Sequence, residues 1–103
     1  MRKYLAVALI GLGLAVSAQA QAGDAAAGKA KSGTCVACHG ANGVSPAPTF
    51  PNLAGQKAQY LIDQMKAFRS KARDNAIMAP MAAGLSDEDI ADLAAFYSSQ
   101  SCN

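Results

Sequence analysis

The chain has 103 residues, room for one small domain and no more. Its nine Lys and Arg residues against seven Asp and Glu give a formal charge of +2. Arg2 and Lys3 supply that whole excess, so residues 23–103 are balanced and carry no basic field for a nucleic acid.

Arg2 and Lys3 are followed by an apolar run from Leu5 to Val16, then by the small residues Ser17-Ala18-Gln19-Ala20-Gln21-Ala22. A positive start, a short apolar run and Ala-x-Ala triplets form a secretory signal peptide. The run is shorter than the ~20 residues of a membrane span, which makes an uncleaved anchor the weaker reading. The expected division is a leader over 1–22, removed on export across the inner membrane, and a domain over 23–103 in the periplasm.

A domain this small buries too little apolar surface to be stable without a staple. Asp24 is the expected N-cap of a short helix over Ala25 to Lys31. Gly28 inside it lowers helix propensity by about 1 kcal/mol relative to Ala. The residue makes sense where another helix must approach closely.

Next comes Cys35-Val36-Ala37-Cys38-His39. Two cysteines three apart, the second followed by histidine, form the attachment pattern of a c-type haem. The spacing lets both thiols reach the two vinyl groups of one porphyrin edge, and the adjacent imidazole offers a nitrogen to the iron. Between Gly40 and Gly55, Gly40, Asn42, Gly43, Pro46, Pro48, Pro51 and Gly55 punctuate the chain, which reads as a loop. A loop this long in a small domain is usually functional, and Phe50 and Leu53 would anchor it against the haem edge.

Gln56 to about Lys71 is the expected second long helix, with Tyr60, Leu61, Gln64, Met65 and Phe68 on one side. Arg73 to Leu85 reads as irregular, with Pro80 and Gly84 as breakers. Ser86 opens the last helix, ahead of Asp87, Glu88 and Asp89, where the helix dipole favours acids. Asp89 is a weak capping-box partner, because Glu or Gln usually fills that place. Ile90, Leu93, Ala94, Phe96 and Tyr97 form the apolar stripe, and the helix ends near Ser99. No strand pattern occurs, so the expected fold is all-α. The basic group Lys57, Lys66, Arg69, Lys71 and Arg73 and the acidic group Asp87, Glu88, Asp89 and Asp92 read first as solvated helix faces. The second reading is a lopsided field that orients docking to redox partners.

His39 is the only histidine, which excludes a two-histidine iron site within one chain. The far side of the iron is left to a weak ligand, to nothing, or to methionine. Met65 lies on a helix stripe, where methionine is more often core filler. Met78 and Met81 lie in the irregular segment and are hard to separate by position. The second nitrogen of His39 needs an orienting acceptor, which a Pro-rich loop can provide as a carbonyl.

Residues 23–100 resemble a class I c-type cytochrome, and most of all one half of the two-haem, two-domain cytochromes of the bacterial periplasm. The resemblance rests on Cys35-Val36-Ala37-Cys38-His39-Gly40, on Phe50-Pro51-Asn52-Leu53-Ala54-Gly55-Gln56, and on Leu85-Ser86-Asp87-Glu88-Asp89-Ile90 leading into Leu93-Ala94-Ala95-Phe96-Tyr97. It implies a small all-α fold of three to four helices around one covalently bound haem c. It places the thioethers on Cys35 and Cys38, the proximal ligand on His39, the orienting carbonyl on Pro51 and the distal ligand on Met78. Leu53 would contact the ring, and Tyr60 and Arg73 would hold its propionates. Gly28 and Phe96 would meet where the first and last helices cross.

The implied role is that of a one-electron carrier between donor and acceptor complexes, not an enzyme. A haem subunit, or a haem sensor or enzyme with a labile sixth ligand, is the alternative. A thiol–disulfide oxidoreductase would need a strand-containing fold. A zinc site from Cys35, Cys38, His39 and Cys102 lacks a second Cys/His pair at the usual spacing. Cys102 has no counterpart in the family pattern. It is available for a tail-linked dimer or a bond to a partner subunit, or it is an inert thiol on a frayed tail.

Overall fold

The computed structural model describes Gly11 and residues 23–102. The expected leader over 1–22 lies outside the described residues, Gly11 excepted. Among the described residues five helices follow one another: α1 (Ala25–Lys31), α2 (Val36–His39), α3 (Ala58–Ser70), α4 (Met78–Ala82) and α5 (Asp87–Ser98), with a 3-10 turn (Ser32–Thr34) between α1 and α2. There is no strand among the described residues, and no helix there is long and apolar enough to cross a membrane.

Helix α1 begins where Asp24 Oδ1 accepts the Ala26 and Ala27 amides, at 2.9 and 3.5 Å. Gly28 is buried against α5. A Cβ there would run into the Asp92 carbonyl oxygen and lie 2.8 Å from Phe96 Cβ. Only a hydrogen fits, and the two backbones cross in direct contact. Helix α5 starts with a complete capping box: Ser86 Oγ accepts the Asp89 amide and Asp89 Oδ2 accepts the Ser86 amide, both at 3.0 Å. Aspartate is therefore long enough here for a role that Glu or Gln usually takes.

The core is contiguous. Leu61 of α3 packs with Leu93, Ala94, Phe96 and Tyr97 of α5, and Cys35, Leu53, Ala58, Ile62, Met65 and Leu85 close around them. Met65 is thus core filler. Tyr60, grouped with the α3 stripe by spacing, is 48% exposed and stands outside the core.

Two other expectations change. The stretch read as irregular contains α4, and Pro80 sits in its first turn, where a missing amide costs no helical hydrogen bond. The acidic group divides: Asp87 and Glu88 are exposed, as a solvated face requires, and Asp92 is not. Asp92 is buried, accepting the Asp24 amide at 2.8 Å and the Lys31 ammonium at 2.6 Å. Lys31 also reaches Asp89 at 3.0 Å. Arg69 pairs with Asp87 at 2.6 Å and donates to the Leu85 carbonyl at 3.0 Å, which ties α3 to the start of α5.

Replacing Gly28 with Ala sets two effects against each other. Helix propensity gains about 1 kcal/mol. Overpacking against a backbone oxygen that cannot move aside costs roughly 1–3 kcal/mol. The second wins, so Gly28→Ala lowers the denaturation midpoint, and a midpoint at or above wild type would remove the crossing.

The paired acids also set a pH dependence. The Lys31 ammonium holds Asp92 below the usual carboxylate range, the Ser86 amide does so for Asp89, and the Arg69 guanidinium does so for Asp87. Their stabilisation is complete above about pH 4, the unfolded-chain value, and is lost as pH falls through the lower folded values. Lys31 is shifted upward by Asp92 and Asp89, so its share persists until strongly alkaline pH. Urea unfolding at stepped pH should show stability falling below pH 4, and Asp92→Asn should lower the plateau and flatten that fall.

Candidate haem site

The site is built on one turn of helix. Cys35 caps α2, and its carbonyl accepts the His39 amide at 2.9 Å and the Cys38 amide at 3.3 Å. Residues three and four apart on a helix share a face, so Cys35, Cys38 and His39 project together. Gly40 stops the helix at once, with φ +82° and no room for a Cβ beside the Val44 carbonyl. The turn back into the loop is what brings the following residues under the histidine. Both cysteines are half-buried and unbridged, and His39 is only 6% exposed.

The loop is held by its own polar groups. The Gly43 carbonyl accepts the Leu53 and Ala54 amides at 2.7 and 3.0 Å. Asn52 Oδ1 accepts the Ser45 amide at 2.7 Å, and the Ser45 hydroxyl reaches the Cys38 carbonyl at 3.1 Å and the Ala47 carbonyl at 2.7 Å. Locked in this way, the loop sets the Pro51 carbonyl 2.8 Å from His39 Nδ1. A carbonyl only accepts, so Nδ1 carries the ring proton and Nε2 keeps its lone pair. Ser45 and Asn52 had no place in the sequence reading, although a Ser and an Asn flanking a Pro-rich loop are the residues that make such turns.

Met78 begins α4 and is half-buried, while Met81 is exposed. Asn75 positions the segment: its Oδ1 accepts the Ile77 amide at 2.9 Å and the Met78 amide at 2.8 Å. Leu53 lies against the core cluster and Tyr60 faces solvent. Arg73 donates to Gln64 Oε1 at 2.7 Å and lies 4.5 Å above the Phe68 ring. Cys102 is far from this set in role. Its thiol donates to the Ala54 carbonyl at 3.2 Å and sits over Gly55. Among the described residues, no group of three or more His, Cys, Asp or Glu side chains gathers as a metal cluster. The four zinc ligands conceivable from sequence are not brought together.

These residues fit an iron porphyrin. They comprise a buried imidazole with its tautomer fixed for ligation, two unbridged thiols on the same helical face, and a thioether. Val36, Val44, Tyr60, Ile77 and Met81 are large apolar side chains left exposed, with Ile77 at 53%, and a flat apolar ring is the kind of group that covers such surface. A separate 310 Å³ concavity, lined by Ala41, Asn42, Val44, Gln100 and Ser101, holds none of the cysteines, His39 or Met78.

Removing the Asn75 carbonyl frees two amides at the head of α4. Asn75→Ala should cost about 1 kcal/mol, as loss of a cap does. It should also speed hydrogen exchange at the Met78 amide relative to wild type, and Asn75→Asp should retain the wild-type rate.

The comparisons identify the family. The family model for cytochrome c matches residues 21–101. Cytochrome c-554(548) of Halomonas halodenitrificans is 62% identical over 82 residues, covering 77% of this chain and 99% of that protein. Cytochrome c4 of Pseudomonas aeruginosa is 51% identical over 100 residues, covering 97% of this chain but 49% of its own length. The crystal structure of reduced recombinant cytochrome c4 from Pseudomonas stutzeri superposes with a TM-score of 0.74 at 44% identity, over 78% of this chain and 47% of that one. The chain thus spans nearly all of the first relative and about half of the cytochromes c4. It belongs to the cytochrome c family, as an all-α electron-transfer domain that binds one haem c covalently.

Proposed function

We propose that the domain is a periplasmic one-electron relay whose iron would be held by His39 and Met78. The observation that carries the reading is the His39–Pro51 contact: with Nδ1 spent on the carbonyl, the only imidazole of the chain has Nε2 alone to give. Cys35 and Cys38 would hold the ring through thioethers. When bound, haem supplies a one-electron ferric–ferrous couple, and a sulfur ligand raises its potential. Met78 is the better distal candidate because it is half-buried and its own amide is fixed by Asn75, whereas Met81 is exposed.

With both axial positions taken, no iron position is left for a substrate, and the chain works as a carrier rather than an enzyme. Leu53 would press on the ring edge. Tyr60, exposed on α3, and Arg73, after its C-terminus, are the groups available to the propionates. The donors and acceptors are redox proteins that approach the exposed apolar side chains. The leader over 1–22 would deliver the domain to the periplasm, where haem attachment takes place. Cys102, exposed and unbridged, is available there for a disulfide to a second copy or a partner subunit, and a reductant-sensitive change in size reports it.

The test is spectroscopic. In matured protein, Met78→Ala should abolish the ferric thioether–iron absorption band. It should also lower the potential by on the order of 0.2 V, inside the ~0.8 V that axial ligands span. Met81→Ala should leave both unchanged, and the reverse pattern would move the ligand to Met81.

A further inference from the structure

One polar atom stands out among the described residues. Tyr97 is 2% exposed, and its hydroxyl is the buried side-chain oxygen there without a hydrogen-bond partner. An orphaned phenol in a core costs free energy and calls for a reason. Phe would fill the same space, packing on Phe96 with ring centroids 5.0 Å apart, without that cost.

The surroundings of the hydroxyl point to one. Cys35 packs against the cluster to which Tyr97 belongs, and the groups that act on the phenol oxygen are the Cys35 sulfur and the Ser32 hydroxyl. Ser32 is buried, and its own proton is committed to the Lys29 carbonyl at 2.7 Å. The serine therefore has no donor to give the phenol. The phenol in turn has a proton and two candidate acceptors, the Ser32 oxygen and the Cys35 sulfur.

We infer that Tyr97 is a positioning and tuning residue for the cofactor, its hydroxyl donating to the Cys35 sulfur once that sulfur has become a thioether. As a thiol, Cys35 carries a proton of its own and is a weak acceptor. As a thioether it has only lone pairs, and the phenol is the donor at hand. The bond draws electron density from a sulfur attached to the ring and points the positive end of the O–H dipole toward it. Both effects favour the electron-richer ferrous state. Hydrogen bonding around the cofactor is one of the means by which a protein sets its potential. Desolvation pushes the Tyr97 hydroxyl well above its ordinary range, so it stays protonated and a donor at neutral pH. The inference rests on haem attachment at Cys35 and is independent of which methionine ligates the iron.

The experiment uses the full, haem-loaded chain. Tyr97→Phe should load haem as wild type does, melt close to the wild-type temperature because one weak hydrogen bond to sulfur is lost and nothing else, and keep the ferric thioether–iron band. Its reduction potential should fall by a few-fold in the electron-transfer equilibrium constant, where tenfold corresponds to 59 mV. An unchanged potential overturns the proposal. So does a fall accompanied by loss of the band, which would mean that Tyr97 acts through the fold. Ser32→Ala removes the rival acceptor and should leave the potential unchanged or raise it; a fall would assign the phenol proton to the serine instead. Should Tyr97→Phe fail to mature, resonance Raman on the wild-type protein decides. The C–S stretching mode should shift between H₂O and D₂O, and a mode indifferent to exchange overturns the bond. Loss of the band in Met78→Ala tests the ligand assignment separately, so the two readings fail independently.

Discussion

The crossing of α1 and α5 at Gly28 is the contact on which the site depends. Helix α1 ends at Lys31, and one 3-10 turn later the chain is at Cys35. Where α1 lies therefore decides where the cysteines lie. Where α5 lies decides what stands behind them, because Phe96 touches Gly28 and Tyr97 is its neighbour in sequence. Any side chain at Gly28 would push the helices apart and carry α2 away from the wall that Tyr97 makes. The packing is sealed by Asp92, which takes the first amide of the α1 cap and the last cation of α1 at once. A buried carboxylate costs several kcal/mol in desolvation unless its lone pairs are met. Here both oxygens are met, one by a backbone amide and one by an ammonium, so the ion pair fixes the angle of the crossing as well as its contact.

The histidine is placed by a different device. Its backbone belongs to α2, a single turn that stops at Gly40 and leaves the ring to be oriented from outside the helix. Its orientation comes from a loop with almost no apolar core, pinned by Gly43, Ser45 and Asn52 through hydrogen bonds that close short circuits. Such a loop is stiff without being deep. That would suit a carrier: with His39 as ligand, a ring that does not reorient between ferric and ferrous states would add little reorganisation to each transfer.

How much of this was legible in the sequence follows from the range of each interaction. Cys35, Cys38 and His39 could be read as one set because covalent attachment would demand a fixed spacing, and they do share one helical turn. Helices α1 and α5 were legible because Asp24 and Ser86 cap them within three residues and the stripe from Ile90 to Tyr97 keeps its period. Helix α4 was not, since five residues show no period and Pro80 reads as a breaker unless it is known to lie in a first turn. Asn75 was missed for the same reason, because a cap is recognised by the helix it starts. Asp92 read as one more surface acid, and nothing nearby in the chain said otherwise. Its partners Lys31 and Asp24 lie 61 and 68 residues away. The orphaned Tyr97 hydroxyl was equally hidden, for a stripe position announces burial and says nothing about what the polar end of the side chain will meet.

The two charge groups show how far local patterning describes the surface. Counted along the chain, a basic middle and an acidic end suggest a dipolar surface. In the fold, Asp87, Asp89 and Asp92 are spent on Arg69 and Lys31, and Arg73 is turned onto Phe68 and Gln64. Lys57, Lys66, Lys71 and Glu88 take no part in these pairs, and Ile77, Met81, Val44 and Tyr60 are large apolar side chains left exposed. A partner meeting such a surface gains from unpaired charge at long range and from apolar contact at short range. Binding of that kind is short-lived when the patch is small, and rapid release after each electron is what a carrier between two partners requires.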